Sequence, residues 1–255
     1  MNFGTMLGKE LKELARSYKL LFVPVVFAVL GLGQPLAIKL LPQLMQSASN
    51  LPPGAVIQIP TPPPDQVVAG VIGQVNQMGI LLLVLVAMGS IAGERLSGVA
   101  ATVLTKPVGR GEYLGAKAVA YSLLAVVSVV AGLGVGAYYT GVFIGPVDWG
   151  HVTLATLLYL PNLLLAVALT LCFSAFLPSP LAAGGAGLAA VVLLNIAPRY
   201  MGKSLFSVSP GALTESAVNV LVTGSGVAIR PVLGVGMVAA AVLVAGWYAL
   251  ERQEI

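Results

Sequence analysis

The residues whose types could do chemistry gather in one stretch of 25, Gly93 to Lys117, reading GERLSGVAATVLTKPVGRGEYLGAK between two long apolar runs. It carries Glu94, Arg95, Lys106, Arg110, Glu112 and Lys117, punctuated by Gly93, Gly98, Pro107, Gly109 and Gly111. Charge alone fits a solvated loop that sets topology. Val99, Val103 and Leu104 add apolar residues that water does not reward. A short helix with such a side, held beyond a membrane surface, suits docking into a partner's groove. Glu94 stands where that helix would begin, a place that favours an acidic side chain through the helix dipole.

Elsewhere the residues argue against catalysis and against a metal site. The sole histidine, His151, sits beside Trp149 at the head of an apolar run, an ordinary interfacial pair. Gly224-Ser225-Gly226 lies in a separate loop, so no nucleophile elbow stands near the imidazole. Met201-Gly202-Lys203-Ser204 imitates the end of a P-loop, but the glycine required five positions before Gly202 is Ala197. Cys172 is alone and excludes both an intrachain disulfide and a cysteine-rich metal centre. All nine acidic residues fall outside the apolar runs, which argues against a proton-coupled carrier with a buried carboxylate relay. Polar residues within the runs include Gln34, Lys39, Gln74, Asn76, Gln77, Asn162 beside Pro161, and Asn195. Gln74 and Gln77, three apart, are expected on one helix face. With Asn195 they either line a substrate path or bridge helices through hydrogen bonds worth about 0.6 kcal/mol each.

The elements that position these residues follow from composition. Of the 255 residues 58% are apolar and only 9% charged, with mean hydropathy +0.96. That excludes an ordinary globular enzyme and a disordered chain. The net charge of +4 resides in loops and implies no nucleic-acid partner. Six runs are long enough to cross a membrane: Leu20 to Leu41, Val67 to Ala92, Tyr113 to Tyr139, Val152 to Leu177, Leu181 to Ala197 and Pro231 to Leu250. Before them, Phe3, Leu7, Leu11, Leu14 and Tyr18 mark an amphipathic helix over residues 3–19, expected to lie at the headgroups and bend into the first span. No removable signal peptide precedes it, so the first span is expected to stay. Nine Lys and Arg against four place both termini on the cytoplasmic side. Residues 42–66, with seven prolines, and 198–230 are then extracytoplasmic, and 93–112 cytoplasmic. Ser209, Pro210 and the face Leu213, Ala217, Val218 and Leu221 predict a short interfacial helix ending before Gly224. Glycines 132, 134 and 136, and Ala183, Gly184, Gly185 and Gly187, permit close helix contact. The expected fold is all-α: one polytopic membrane domain over 1–255, six transmembrane helices preceded by an interfacial elbow.

Glu94, Gly98, Leu104, Pro107, Val108, Arg110, Leu114, Gly115 and Lys117 resemble the first inner loop of the membrane subunits of type-2 ABC exporters. That loop typically reads E, then SGT, LL, PVSR, and a leucine with GK. Val99 stands where the family has Thr and Gly109 where it has Ser, so neither position can make a side-chain polar contact. The resemblance implies a permease in the cell membrane that pairs with a second permease subunit, identical or closely related, and binds two cytosolic ATPase subunits. Those partners would hold ATP and Mg, and this chain no cofactor. Glu94, Arg95, Gly98, Leu104, Pro107 and Arg110 would then couple to the ATPases. Spans 2 and 5 would flank a path for an amphipathic or lipid-like cargo, with Gln74, Gln77 and Asn195 along it. The other readings are a partner-free secondary carrier and a membrane assembly or immunity protein.

Overall fold

The computed structural model describes residues 3–48, 61–98 and 109–252. All of its regular elements are helical: α1 (Phe3–Arg16), α2 (Lys19–Ala48), α3 (Pro64–Gln74), a wide π-turn (Val75–Gly79), α4 (Ile80–Ala87), α5 (Ala92–Leu96), α6 (Arg110–Phe143), α7 (Trp149–Phe176), α8 (Pro180–Ile196), α9 (Pro198–Met201), α10 (Lys203–Phe206), α11 (Pro210–Thr223) and α12 (Ile229–Arg252). Among the described residues six segments are long and apolar enough to cross a membrane, and each contains or overlaps one expected run. The second runs from α3 through the π-turn to α5, and the fifth joins α8 to α9. Lys9, Arg95, Arg110, Lys117 and Arg252 come together at one end of the bundle, called here the basic end.

The elbow forms as its sequence dictates, with a bend at Tyr18, whose φ of 58° lies in the left-handed region at a cost of about 1–2 kcal/mol. Its buried row, however, is Met6, Glu10 and Leu14. Leu7 and Leu11 pack beside that row, while Phe3 and Tyr18 are exposed. A carboxylate therefore occupies the middle of the elbow's inner face.

α7 is the pillar of the bundle: 67% of its most apolar stretch is buried, against 22–28% for the first, fifth and sixth spans. Asp148 caps its start by accepting from the N–H groups of Gly150 and His151. α2 and α6 cross with their backbones touching, since a Cβ at Gly31 would stand 2.0 Å from the Gly132 carbonyl oxygen. Gly132 and Gly136 serve this crossing, while nothing lies within 4 Å of a Cβ at Gly134. Gly184 and Gly187 similarly meet Met88 and Thr170, and Gly185 faces open space.

The expected interfacial helix is a correction. α11 has the Ser209 cap and the Gly224 end read from the sequence, but it stands along α7 instead of lying across the surface. Its residue Thr214 touches Asn162, 13 positions or about 20 Å along α7 from Trp149. Its end at Gly224 meets His151. The apolar face read as interfacial is buried against α7 and α3 because the chain re-enters the bundle at half depth. Much of 198–230 is thus part of the bundle. The same fold-back carries Glu215, a carboxylate outside every apolar run, to the level of Asn162, so that sequence position alone misjudged where acidic groups lie.

Candidate functional site

The first turns of α6, the elbow and α5 enclose a cluster of charges at the basic end. The Glu94 Oε1 accepts from Lys117 Nζ at 2.8 Å and from Lys9 Nζ at 2.9 Å, and its Oε2 accepts from the Tyr113 hydroxyl. Lys117 also donates to both oxygens of Glu10, at 3.0 and 3.1 Å. Lys9 reaches Glu10 and the half-exposed Glu13, each at 3.0 Å. Lys117 is 1% exposed, Glu10 2% and Glu94 8%. Charges this deep persist only when paired, and removing one member of such a set is far more costly than removing a matched pair. Burial alone would lower the pKa of Lys9, but its bonds and attraction to Glu94 and Glu10 outweigh that and hold it raised. Glu10, Glu13 and Glu94 are close enough together to hold a cation, and the ammonium groups of Lys9 and Lys117 already stand among them.

Two arginines fix the edges of the loop. Between α4 and α5 the helix breaks, and the Ser174 hydroxyl of α7 repairs the break: it accepts from the N–H groups of Ile91 and Ala92 and donates to the Met88 carbonyl. Arg95 donates from Nη2 to the carbonyls of Ser174 and Leu177, each at 2.7 Å, closing the end of α7. Arg110 does the same for α12, donating to the carbonyls of Leu250 and Glu251. Glu112 accepts from the Gly109 N–H and starts α6. Gly98, with φ of 74°, ends α5 in a conformation suited to glycine. Glu94, Arg95 and Arg110 thus point into the bundle. Leu104 and Pro107, with the rest of 99–108, lie outside the described residues. The signal missed in the sequence was Lys117, read there as a loop terminus although it stands one α-helical turn past Tyr113.

A second polar group lies at half depth. The Asn76 Oδ1 accepts from the Tyr159 hydroxyl at 3.2 Å and from Asn162 Nδ2 at 3.0 Å. Asn162 is fully buried and also meets Thr214 and Asn195, each at 3.4 Å. Of the three expected path residues, only Asn195 joins this group. Gln77 is exposed, and Gln74 turns toward α2, where a Cβ at Gly33 would come 3.3 Å from its Nε2. The i→i+5 bonding of the π-turn widens the helix just after Gln74, so residues three apart no longer share a face. That same turn places Asn76 in the cluster. Met201 to Ser204 run from the end of α9 through Gly202 into α10, with no strand among the described residues, so the P-loop resemblance ends at composition.

Comparison with known proteins agrees with this architecture. A relative in Bacillus subtilis (strain 168), named "Uncharacterized transmembrane protein YxlG", is 34% identical over 134 residues, 52% of this chain and 52% of its own length. The chain thus spans about half the length of that curated relative. Residues 5–255 match the family described as ABC-2 family transporter protein. With six candidate spans among its described residues, an elbow helix and a charged loop rooted at one end of the bundle, the chain belongs to the ABC-2 transporter family of membrane proteins.

Proposed function

We propose that this chain is the permease subunit of an ATP-driven exporter, paired with a second permease subunit, with its basic end in the cytoplasm and loop 93–112 seated on two cytosolic ATPase subunits. The observation that carries this reading is the rooting of the loop. Glu94 is bound to the elbow and to α6, Arg95 to the end of α7, and Arg110 to the end of α12. A displacement applied to 99–108 by a closing ATPase dimer therefore reaches three spans and the elbow through charge-assisted bonds, which are stronger and more directional than apolar contact. Glu94, Arg95 and Arg110 act in this scheme by gripping the bundle, and the apolar Leu104 with Pro107 provides the surface that meets the partner. The cargo is amphipathic or lipid-like. ATP and Mg belong to the partner.

The test is reconstitution of the chain with the ATPase that copurifies with it. Wild type should export only with ATP. In Arg95→Gln, which loses two charge-assisted bonds, hydrolysis should persist while transport per ATP falls roughly tenfold or more. The secondary-carrier reading has one observation in its favour, the carboxylate of Glu215 at half depth. Transport driven by a proton gradient without any ATPase would establish it and overturn the exporter.

A further inference from the structure

The second span holds one residue more than a continuous α-helix needs between its fixed ends. At Val75–Gly79 its ladder widens to i→i+5, with the Ile80 N–H donating to the Val75 carbonyl. On one side Val67, Val71 and Ile72 of α3 are 0–1% exposed, and on the other, beyond α4, the chain is tied down by the Ser174 hydroxyl and by Glu94. A surplus residue between fixed ends has no place of its own, because a wide turn travels along a helix by exchanging i→i+5 for i→i+4 bonds while the flanks stay put. The preceding turn can receive it: Gly70 and Gly73 weaken the α-ladder there, and nothing lies within 4 Å of a Cβ at Gly73. With the wide turn at 70–74, each residue from 74 to 77 steps back into its predecessor's position. Gln77 then takes the place of Asn76 opposite Tyr159 and Asn162, Asn76 that of the buried Val75, Val75 that of Gln74, and Gln74 that of the exposed Gly73. Each register has one amide in the half-depth cluster, one inside the bundle and one facing outward: Asn76, Gln74 and Gln77 in the observed one, Gln77, Asn76 and Gln74 in the other. The observed register gains no advantage inside the bundle, since its Gln74 Oε1 is buried there with no hydrogen-bond partner among the described residues.

We propose that the second span is a two-register switch, in which the π-turn moves between 75–79 and 70–74 and exchanges Asn76 for Gln77 in the half-depth cluster. The shift is a property of this chain alone. Its use rests on the exporter reading, in which it moves the outward amide from Gln77 to Gln74, roughly 5 Å toward the end opposite the basic end and so in the direction of export. Thermal unfolding of the whole chain and its variants in one detergent tests the switch. Gln77→Leu alone should leave the melting temperature unchanged. Asn76→Leu alone should cost little, because Gln77 steps into the cluster and leucine suits the buried place of Val75. The two together should lose roughly 5 °C, with no amide left to accept from Tyr159 and Asn162. Deleting Met78 removes the surplus residue and fixes the observed register, and deleting Gly73 fixes the other. Both chains should fold, and they should reverse the order of the substitutions: Asn76→Leu is costly only without Met78, and Gln77→Leu only without Gly73. Deleting Leu164 from α7, which is α-helical throughout, should yield no folded protein. An Asn76→Leu variant as unstable as the double, or a Gly73 deletion that does not fold, overturns the switch. Wild-type export by both locked chains overturns its use in transport, whereas a reversed order in a protein without ATP-driven export sinks only the exporter reading.

Discussion

Replacing Lys117 with methionine keeps the length of the side chain and deletes the charge at the centre of the basic-end cluster. In the native protein two ammonium groups face the buried carboxylates of Glu10 and Glu94, with Glu13 half in water. Without Lys117, Lys9 alone must answer both, and one buried carboxylate is left uncompensated. The cost expected for breaking a buried pair from one side is about 3–5 kcal/mol. For a chain of this size that is a fall in melting temperature of roughly 10 °C. Glu10→Gln combined with Lys117→Met removes one charge of each sign and should recover about 2 kcal/mol of the loss. Thermal unfolding of the two single variants and the double in one detergent closes the cycle. A Lys117→Met protein that melts with wild type, or a double variant less stable than both singles, would refute the pairing as drawn.

Gly31→Ala should prevent the close crossing of α2 and α6 and abolish monodisperse folded protein, whereas Gly134→Ala, with nothing within 4 Å, should be tolerated; size-exclusion profiles compare them. The Asp148 carboxyl is held below its ordinary value by the N–H groups of Gly150 and His151. Its capping contribution is therefore complete above the ordinary value of 3.8 and is lost as pH falls through the lower folded value, so Asp148→Asn should flatten the acid limb of a stability-against-pH profile. Arg110→Gln frees the last carbonyls of α12, and hydrogen exchange at residues 247–252 should accelerate while exchange in α7 stays unchanged.

Span number and position are legible because about 20 apolar residues are a physical requirement of the bilayer, and each of the six runs meets it. The elbow is legible from its helical period, yet Glu10 hides in it. A period marks which residues share a face and says nothing about a carboxylate whose counter-charge lies 107 positions away. Glu94 was legible as special, but its partners were not, for the same reason of sequence distance. α11 shows a different limit: its face, cap and stop were all readable, while its tilt depends on where α8 stops and the chain turns back. Nothing in the sequence of Val75 to Gly79 announces a π-turn, and that one extra residue per turn decides which of Gln74, Asn76 and Gln77 meets Asn195.

The charge cluster also bears on the order in which the protein is built. Residues 10, 94 and 117 are synthesised seconds apart, at about 5–20 residues per second. Glu10 and Glu94 are both present before Lys117 has left the ribosome, and in that interval the elbow has only Lys9 to neutralise its inner face. The elbow cannot seat until the third span has entered the membrane and brought Lys117 beneath it. A docked elbow is therefore a record that the first three spans are in place, and a nascent chain stalled after the second span is distinguished by an elbow still lying loose on the bilayer.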